Sequence, residues 1–577
     1  MKAKQILFGF LTVIGAASCS EEMEYKEYNI YDKDYITQNF VNIGGFMTNL
    51  YNNVDYDFGN FSSGAMLASA SDESEYSILG NGIEDFYNGA WSPSNAKESI
   101  PTGWTKMYQG ISTVNYYLQD FLNETFPELE ENTDYGAQLY RYNNYKYEAR
   151  FMRAYYYFNL VRQYGDVPLV DKVLSAEEIN QISRTPADSV FKFIIAECDA
   201  IKDLIIANYS DLGAYALSSE ESGRADRLAV LALRARAALY WASPLFNPEG
   251  KKERYYDATL YTKELLEACE ERGKGLTAKY ADLWSANSYN TQSIVKEIIF
   301  GRRYYSSSAG DHLVESYNYP VGIEGGNGGN CPTQNLVDAY DMTNGKSIDD
   351  PTSGYDPANP YVGRDPRLAA TVAVNGDVWP SYLTEALQTY KGGKNGQPLS
   401  GATTTGYYLK KYCNGSISLA SGSTFQNAYH TWLTFRLGEF YLNYAEAVFK
   451  YLGSADATSA EFAMSAREAA SKTRVRAGLP EFDLGMDNDT FWARYQKERM
   501  VELAFEGHRF WDVRRWKEAD KYFTGITRMV LELNPVDGTI AYAKEEVSRQ
   551  WDDKMYLFPI PQTEILKNPR LGQNEGW

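Results

Sequence analysis

Apolar and aromatic side chains return at three- and four-residue steps in five stretches of this chain, a period that commits both of its ends to amphipathic helices. Phe151, Tyr155, Phe158 and Val161 share one helical face, and Gly165 followed by Pro168 predicts a helix end near Tyr164. Arg224 to Trp241 is rich in Ala and Leu, which favours a helix with close neighbours, and Ser243-Pro244 stops it. Tyr261, Leu265 and Ala268 mark its antiparallel partner. Leu437, Phe440, Tyr441, Tyr444, Ala445 and Val448 form a wide fourth stripe, and Phe491 to Trp516 reads as one further helical stretch.

Between these ends, residues 286–429 are dense in turn signals, among them Gly325-Gly326-Asn327-Gly328-Gly329 and Gly392-Gly393. Long loops on a rigid frame are a common way to present a recognition surface. No clean repeat at the roughly 34-residue TPR period is present, but seams of Ala, Tyr and Phe permit degenerate TPR packing. The expected fold class is mainly α, with TPR-like helix pairs as a scaffold for long, loop-rich insertions.

A formal net charge of -20 repels phosphate backbones, and no Lys/Arg run offers a basic patch, so nucleic acid is excluded as a partner. The three histidines, His312, His430 and His508, are far apart and form no paired-ligand motif, so neither a metal nor a cofactor is expected. Tyr340 to Ser347 misses a phosphate loop because Tyr340 stands where the first glycine belongs, and no GxSxG elbow exists. Glu498, Glu502 and Glu506 stack at four-residue steps beside Arg499, Arg509, Arg514, Arg515 and Asp512, which reads as a structural ion-pair lattice and not as an acid/base site. Carboxylates such as Asp72, Glu73, Glu75, Glu84 and Asp85 could be nominated for glycoside hydrolysis, but acidic loop residues are more often solvated or bound to a ligand's hydroxyls.

The segment Ser69 to Asn95 differs in kind. It gathers Asp72, Tyr76, Tyr87, Trp91 and Asn95 between Gly80, Gly82, Gly89 and Pro93. Aromatic rings cover the apolar face of a pyranose, while carboxylate and amide groups exchange hydrogen bonds with its hydroxyls. Asp72, Tyr87, Trp91 and Asn95 are therefore candidate ligand-binding residues, with Trp91 either a sugar platform or a ring that packs inward.

At the N-terminus Lys2 and Lys4 precede an apolar run from Ile6 to Ile14 and small residues Gly15-Ala16-Ala17-Ser18 before Cys19. The run is shorter than the roughly 20 residues that span a bilayer, so residues 1–18 read as a cleaved secretory leader. Ala17-Ser18-Cys19 resembles a bacterial lipobox, although Ala16 replaces the usual Leu. Acylation of Cys19, palmitate included, would hold the chain on a membrane at about 0.8 kcal/mol per buried methylene. Cys198, Cys269, Cys331 and Cys413 then leave three disulfide pairings open, and Cys198 and Cys269 on helical patterns read as buried thiols.

Six segments in order resemble the SusD/RagB family of Bacteroidetes nutrient-uptake lipoproteins. They are Tyr147 to Phe158 running into Tyr164-Gly165-Asp166-Val167-Pro168-Leu169, Gly223-Arg224-Ala225, Gly363-Arg364-Asp365-Pro366-Arg367-Leu368, Arg436 to Ala447, Glu498 to Asp512, and Tyr556 to Trp577. The resemblance implies four TPR-like helix pairs, with 19–215 as N-terminal and 216–577 as C-terminal region packed into one unit. It also implies a non-enzymatic glycan-binding lipoprotein on the extracellular face of the outer membrane, delivering oligosaccharide to a SusC-like TonB-dependent transporter. By location it adds Tyr304, Tyr305, Tyr317 and Tyr319 to the ligand contacts. The rival readings are a surface glycoside hydrolase and a TPR-type protein-binding scaffold.

Overall fold

The apolar stripes close on one another as helix pairs in the computed structural model, which describes residues 33–97, 100–217, 223–284, 291–306, 313–424 and 428–577. The leader, Cys19 and His312 lie outside the described residues. Helices α1 (Phe40–Tyr51) and α2 (Trp104–Asp120) pack on the long α3 (Tyr135–Tyr164), whose other flank receives α4 (Ala187–Ile201). Next, α5 (Arg227–Ala242) pairs with α6 (Lys252–Glu271), which meets α7 (Leu437–Leu452). In turn α7 packs on α8 (Ala466–Arg476), ahead of α9 (Asn488–Glu502) and α10 (Arg509–Trp516). The chain is mainly helical, and its pairs suit TPR-like packing.

Local chemistry fixes where these helices begin, cross and end. The C-cap of α3 is Gly165 at φ 70°, as the sequence predicts. Where α2 crosses α3, a Cβ on Gly110 would lie 2.5 Å from the Tyr156 ring, so only glycine permits the approach. The Ala-rich α5 starts at Arg227 and not at Arg224, because the Asp226 side chain accepts from Ala229 N and caps it there. Arg224 instead reaches α3 and donates to Glu148 at 3.0 Å. The stretch Phe491 to Trp516 is not one helix: it breaks between Glu502 and Arg509, with Phe505 and Gly507 at positive φ.

Four two-stranded antiparallel ladders tie the loops down. Strand β1 (Ser74–Tyr76) pairs with β3 (Asn330–Pro332), and β2 (Ile298–Ser306) with β6 (Ala428–Arg436). Likewise β4 (Val372–Ala373) pairs with β5 (Tyr408–Leu409), and β7 (Gly525–Leu533) with β8 (Ile540–Ser548). Phe558, Ile560 and Leu571 from the end of the chain sit in the same hydrophobic core as Trp104 and Tyr164. Cys198, Cys269, Cys331 and Cys413 are free thiols, and burial pushes the Cys198, Cys269 and Cys331 thiols up.

Where α7 begins, the core is ionic. Arg436 donates to Glu297 at 3.0 Å, Glu502 at 2.7 Å and Glu506 at 2.7 Å. Arg367 bridges Asp365 at 2.7 Å, Glu498 at 2.6 Å and Glu502 at 2.9 Å, while Arg476 also grips Glu502 and Lys411 holds Glu506 at 2.9 Å. Burial pushes the Glu502 carboxyl up, but the charges of Arg476, Arg436 and Arg367 outweigh it and hold the group well below the usual range. A Cβ on Gly438 would lie 2.3 Å from Arg436 Nη1, so the lattice needs a glycine there.

The sequence reading of a lattice holds, yet its partners differ. Only Arg499 and Arg515 pair with nearby Asp512, at 2.6 and 2.9 Å, whereas Glu498, Glu502 and Glu506 take cations from Arg367, Lys411, Arg436, Arg474 and Arg476. Arg514 finds no carboxylate among the described residues: it donates to the Met555 and Phe510 carbonyls and stacks 3.4 Å over the Phe510 ring. Burial and then the surrounding arginines press the His508 pKa well below the ordinary value. Glu502→Gln leaves three buried cations short of one charge and is expected to cost on the order of 3–5 kcal/mol in urea unfolding. A loss under about 1 kcal/mol would show that the lattice does not hold the frame.

Candidate functional site

Two ion pairs and an arginine bound to backbone carbonyls fasten the segment around β1 to the C-terminal half. Both oxygens of Asp72 accept from Arg509 at 2.8 Å, and Glu75 accepts from Arg528 at 2.7 and 2.6 Å and from the Thr404 hydroxyl at 2.6 Å. Arg549 donates to the Ser71 and Ser74 carbonyls and lies 4.1 Å over the Tyr87 ring. Burial pushes the Glu75 carboxyl up, but the hydrogen bonds and charge of Arg528 prevail and hold it below the usual range. Its neighbour Glu73 has no such cation in contact, and burial followed by the Asp72 charge pushes it up to about 8.

Mid-chain loops close on this segment. Asn330 donates to the Gly64 carbonyl at 3.0 Å and accepts from Met66 N at 2.8 Å, and Ser77 N donates to the Gly329 carbonyl at 2.9 Å. The Tyr317 ring fills the space over Gly59 and Gly64, where a Cβ would lie 2.6 and 3.1 Å from it.

Several expected contact residues are structural instead. Trp91 is only 3% exposed, with Phe86, Phe558 and Trp577 ring centroids at 4.5, 4.6 and 5.0 Å, so it anchors the loop to the core and is no sugar platform. Asp72 spends both oxygens on Arg509 and is buried, which removes it from any ligand. Tyr319 is fully buried and donates to the Asn414 and Ile417 carbonyls. Tyr87 is half-buried beneath Arg549, and Tyr304 is half-buried on β2, stacked on Tyr56 at 6.2 Å. Tyr305 pairs through its backbone with Tyr429, and its side chain lies outside the described residues. Asn95 does line a cleft of about 580 Å³ with Ser62, Ser63 and Lys97, although its amide donates to Asp85 at 2.8 Å.

A second cleft, of about 730 Å³, went unread in the sequence. Ser77, Ile78 and Leu79 form one wall, Val321 and Asn327 another, Gln397 to Gly401 a third, with Arg528, Val530 and Glu545 below. Leu79 is 84% exposed, an apolar side chain offered to solvent at the cleft's edge. Arg528 commits Nε and Nη2 to Glu75 but its Nη1 stands 3.9 Å from Glu545, beyond hydrogen-bond reach, which leaves donors for an incoming oxygen. The exposed pair Ile78-Leu79 just before Gly80 was the available signal, overlooked because it carries no polar or aromatic group. Among the described residues no group of His, Cys, Asp and Glu is placed to hold a metal ion. Asn327 gives its Nδ2 to Ser316, so the Arg528 Nη1 donors, the Asn327 Oδ1 acceptor and an apolar edge are what suit reversible binding of a hydroxyl-rich molecule.

Two family models match this chain in tandem. One, described as starch-binding associating with outer membrane, covers residues 27–239, and the other, described as the SusD family, covers 296–577. The chain belongs to the SusD family. A SusD-like protein of Formosa agariphila is 21% identical over 89% of this chain and 90% of its own length, and one of Bacteroides ovatus is 23% identical over 82% and 81%. Among solved structures, a SusD-like protein of Bacteroides fragilis superposes with a TM-score of 0.75 at 24% identity, covering 95% of this chain and 99% of its own. A SusD-like carbohydrate-binding protein of the same species gives 0.71 at 23% identity over 93% and 99%. A laminarin-binding SusD-like protein gives 0.60 at 20% identity, covering 94% and 100%. These likenesses establish the SusD fold.

Trp91→Ala opens a void among three large rings and is expected to cost on the order of 3–5 kcal/mol of stability. Denaturant unfolding checks it, and a cost below about 1 kcal/mol would return the indole to the surface.

Proposed function

We propose that this chain captures oligosaccharide at the outer membrane surface and passes it to a SusC-like TonB-dependent transporter without cleaving it. The observation that carries the reading is the open cleft between Leu79, Asn327 and Arg528, set in a chain of the SusD family. It offers free donors and an apolar edge, while the neighbouring acids Asp72 and Glu75 are locked in ion pairs and Glu73 is buried. A hydrolase needs one acid and one base that can reach the same glycosidic bond, so these locked carboxylates favour binding over hydrolysis. Support comes also from relatives whose names describe carbohydrate and laminarin binding.

Membrane attachment in this reading rests on Cys19, acylated after removal of the leader, with the folded body on the extracellular face. Among the described residues no helix is long and apolar enough to cross a membrane, so translocation falls to the partner. Asn95, in the cleft with Ser62, Ser63 and Lys97, extends the proposed contact surface.

Calorimetric titration with maltohexaose, laminarihexaose, xylohexaose and mannohexaose tests the capture step. For the binding sugar, Leu79→Asp and Asn327→Ala are each expected to weaken Kd about tenfold, the worth of one apolar contact or hydrogen bond. Tm should barely move, since both side chains are at the surface. Unaltered affinity in both variants, or release of new reducing ends, would overturn the reading. For the delivery step, purification from the native membrane in mild detergent should bring a large TonB-dependent β-barrel along. Recovery of this protein alone in several detergents counts against the partner.

A further inference from the structure

The cleft beside Arg528 has one shortcoming for a sugar: no aromatic ring lines it. Pyranoses present an apolar face that indole and phenol rings cover, so a glycan site without one lacks a principal source of affinity. Another cavity supplies what is missing. It measures about 560 Å³, and its walls come from the end of the 280–284 turn, from Ala369 and Ala370, from Trp379, and from residues 410–415 after β5. It shares no lining residue with either cleft described above.

The lining is unusual for a chain of net charge -20, because it includes Lys410 and Lys411 and no carboxylate. Lys411 is spent on Glu506, Tyr280 and the Ala504 carbonyl. Lys410 holds Asp377 at 2.6 Å and stands 5.9 Å from the Trp379 ring centroid, so the cation and the indole border the same space. Trp379 is half-buried and packs closely against Gly415: a Cβ there would lie 2.4 Å from its ring. A ring braced in that way offers area at little entropic cost.

Hydrogen bonding points the same way. Asn414 N donates to Glu315 at 2.9 Å and its Oδ1 accepts from Ser416, while its Nδ2 donates to no described residue. The cavity therefore combines a braced indole with an amide donor, Asn414 Nδ2, for an acceptor oxygen.

We propose that the cavity between Trp379, Lys410 and Asn414 is a second sugar-binding subsite, which takes one pyranose ring against Trp379 and its hydroxyl oxygens on the surrounding donors. The inference rests on the glycan-capture reading above and adds a location and a stacking residue to it. A chain that engages both sites would be held more firmly than by either, through the high local concentration of its second half.

The test uses the full-length protein labelled with ¹⁵N at tryptophan and the same four hexasaccharides as probes. The Trp379 indole resonance is assigned by its loss in Trp379→Phe, a variant whose Tm should match the wild type. For the probe that calorimetry shows to bind, the Trp379 resonance is expected to move on titration. It should still move in Leu79→Asp at saturating probe, and Trp379→Ala should weaken Kd at least fivefold. A probe that binds with unchanged affinity in Trp379→Ala and leaves the Trp379 resonance still would overturn the subsite and leave a cavity for water. If no probe binds the wild type by calorimetry, the capture reading itself fails and the subsite falls with it.

Discussion

Everything else in this molecule depends on a fully buried cation, Arg436, surrounded by carboxylates. It stands at the N-cap of α7, meets Glu297 ahead of β2, and fixes Glu502 at the end of α9 and Glu506 within the break that follows. Charges taken out of water are tolerable only where every one has partners of good geometry. Satisfying them here requires three separate stretches of chain to arrive together, which makes the lattice a device of registration more than of raw stability. Arg367 and Arg476 extend it, so a loop-rich middle region is referenced to rigid helices at several points.

The same device continues outward to the loops. Asp72 on Arg509 and Glu75 on Arg528 are ion pairs between the first hundred residues and the last hundred, and between them they set the course of β1. Residues 77–79 leave β1 directly into the open cleft, so the wall of the cleft inherits its position from buried charge. Aromatic residues play the complementary part. Trp91 locks loop to core, whereas the half-buried Trp379 in the middle region stands at a cavity wall.

What the sequence discloses and what it withholds follow from range. The end of α3 was legible because Gly165 acts on its own helix, and the acids at Glu498 and Glu502 because their spacing is local. The start of α5 was misread by three residues, since Arg224 looked helical while its partner Glu148 lies far back in the chain. The break after Glu502 was invisible: nothing in Leu503 to His508 except one glycine announces it, and the left-handed Phe505 is imposed by its surroundings. Trp91 failed for the same reason, its packing partners Phe558 and Trp577 being at the opposite end of the sequence. Composition drew attention to aromatic residues in broken segments, a rule that finds loop anchors as readily as ligand platforms.

The central claim is that a charge-locked helical frame presents loops, and not helix faces, to a glycan. Hydrogen–deuterium exchange with and without the bound hexasaccharide tests it most directly, because exchange reports local opening segment by segment. The account predicts slowed exchange in residues 77–80, 321–327, 397–404 and 410–415, with α3, α5 and α7 unchanged. Protection confined to the helices, or to the loop around Trp91 alone, would contradict it.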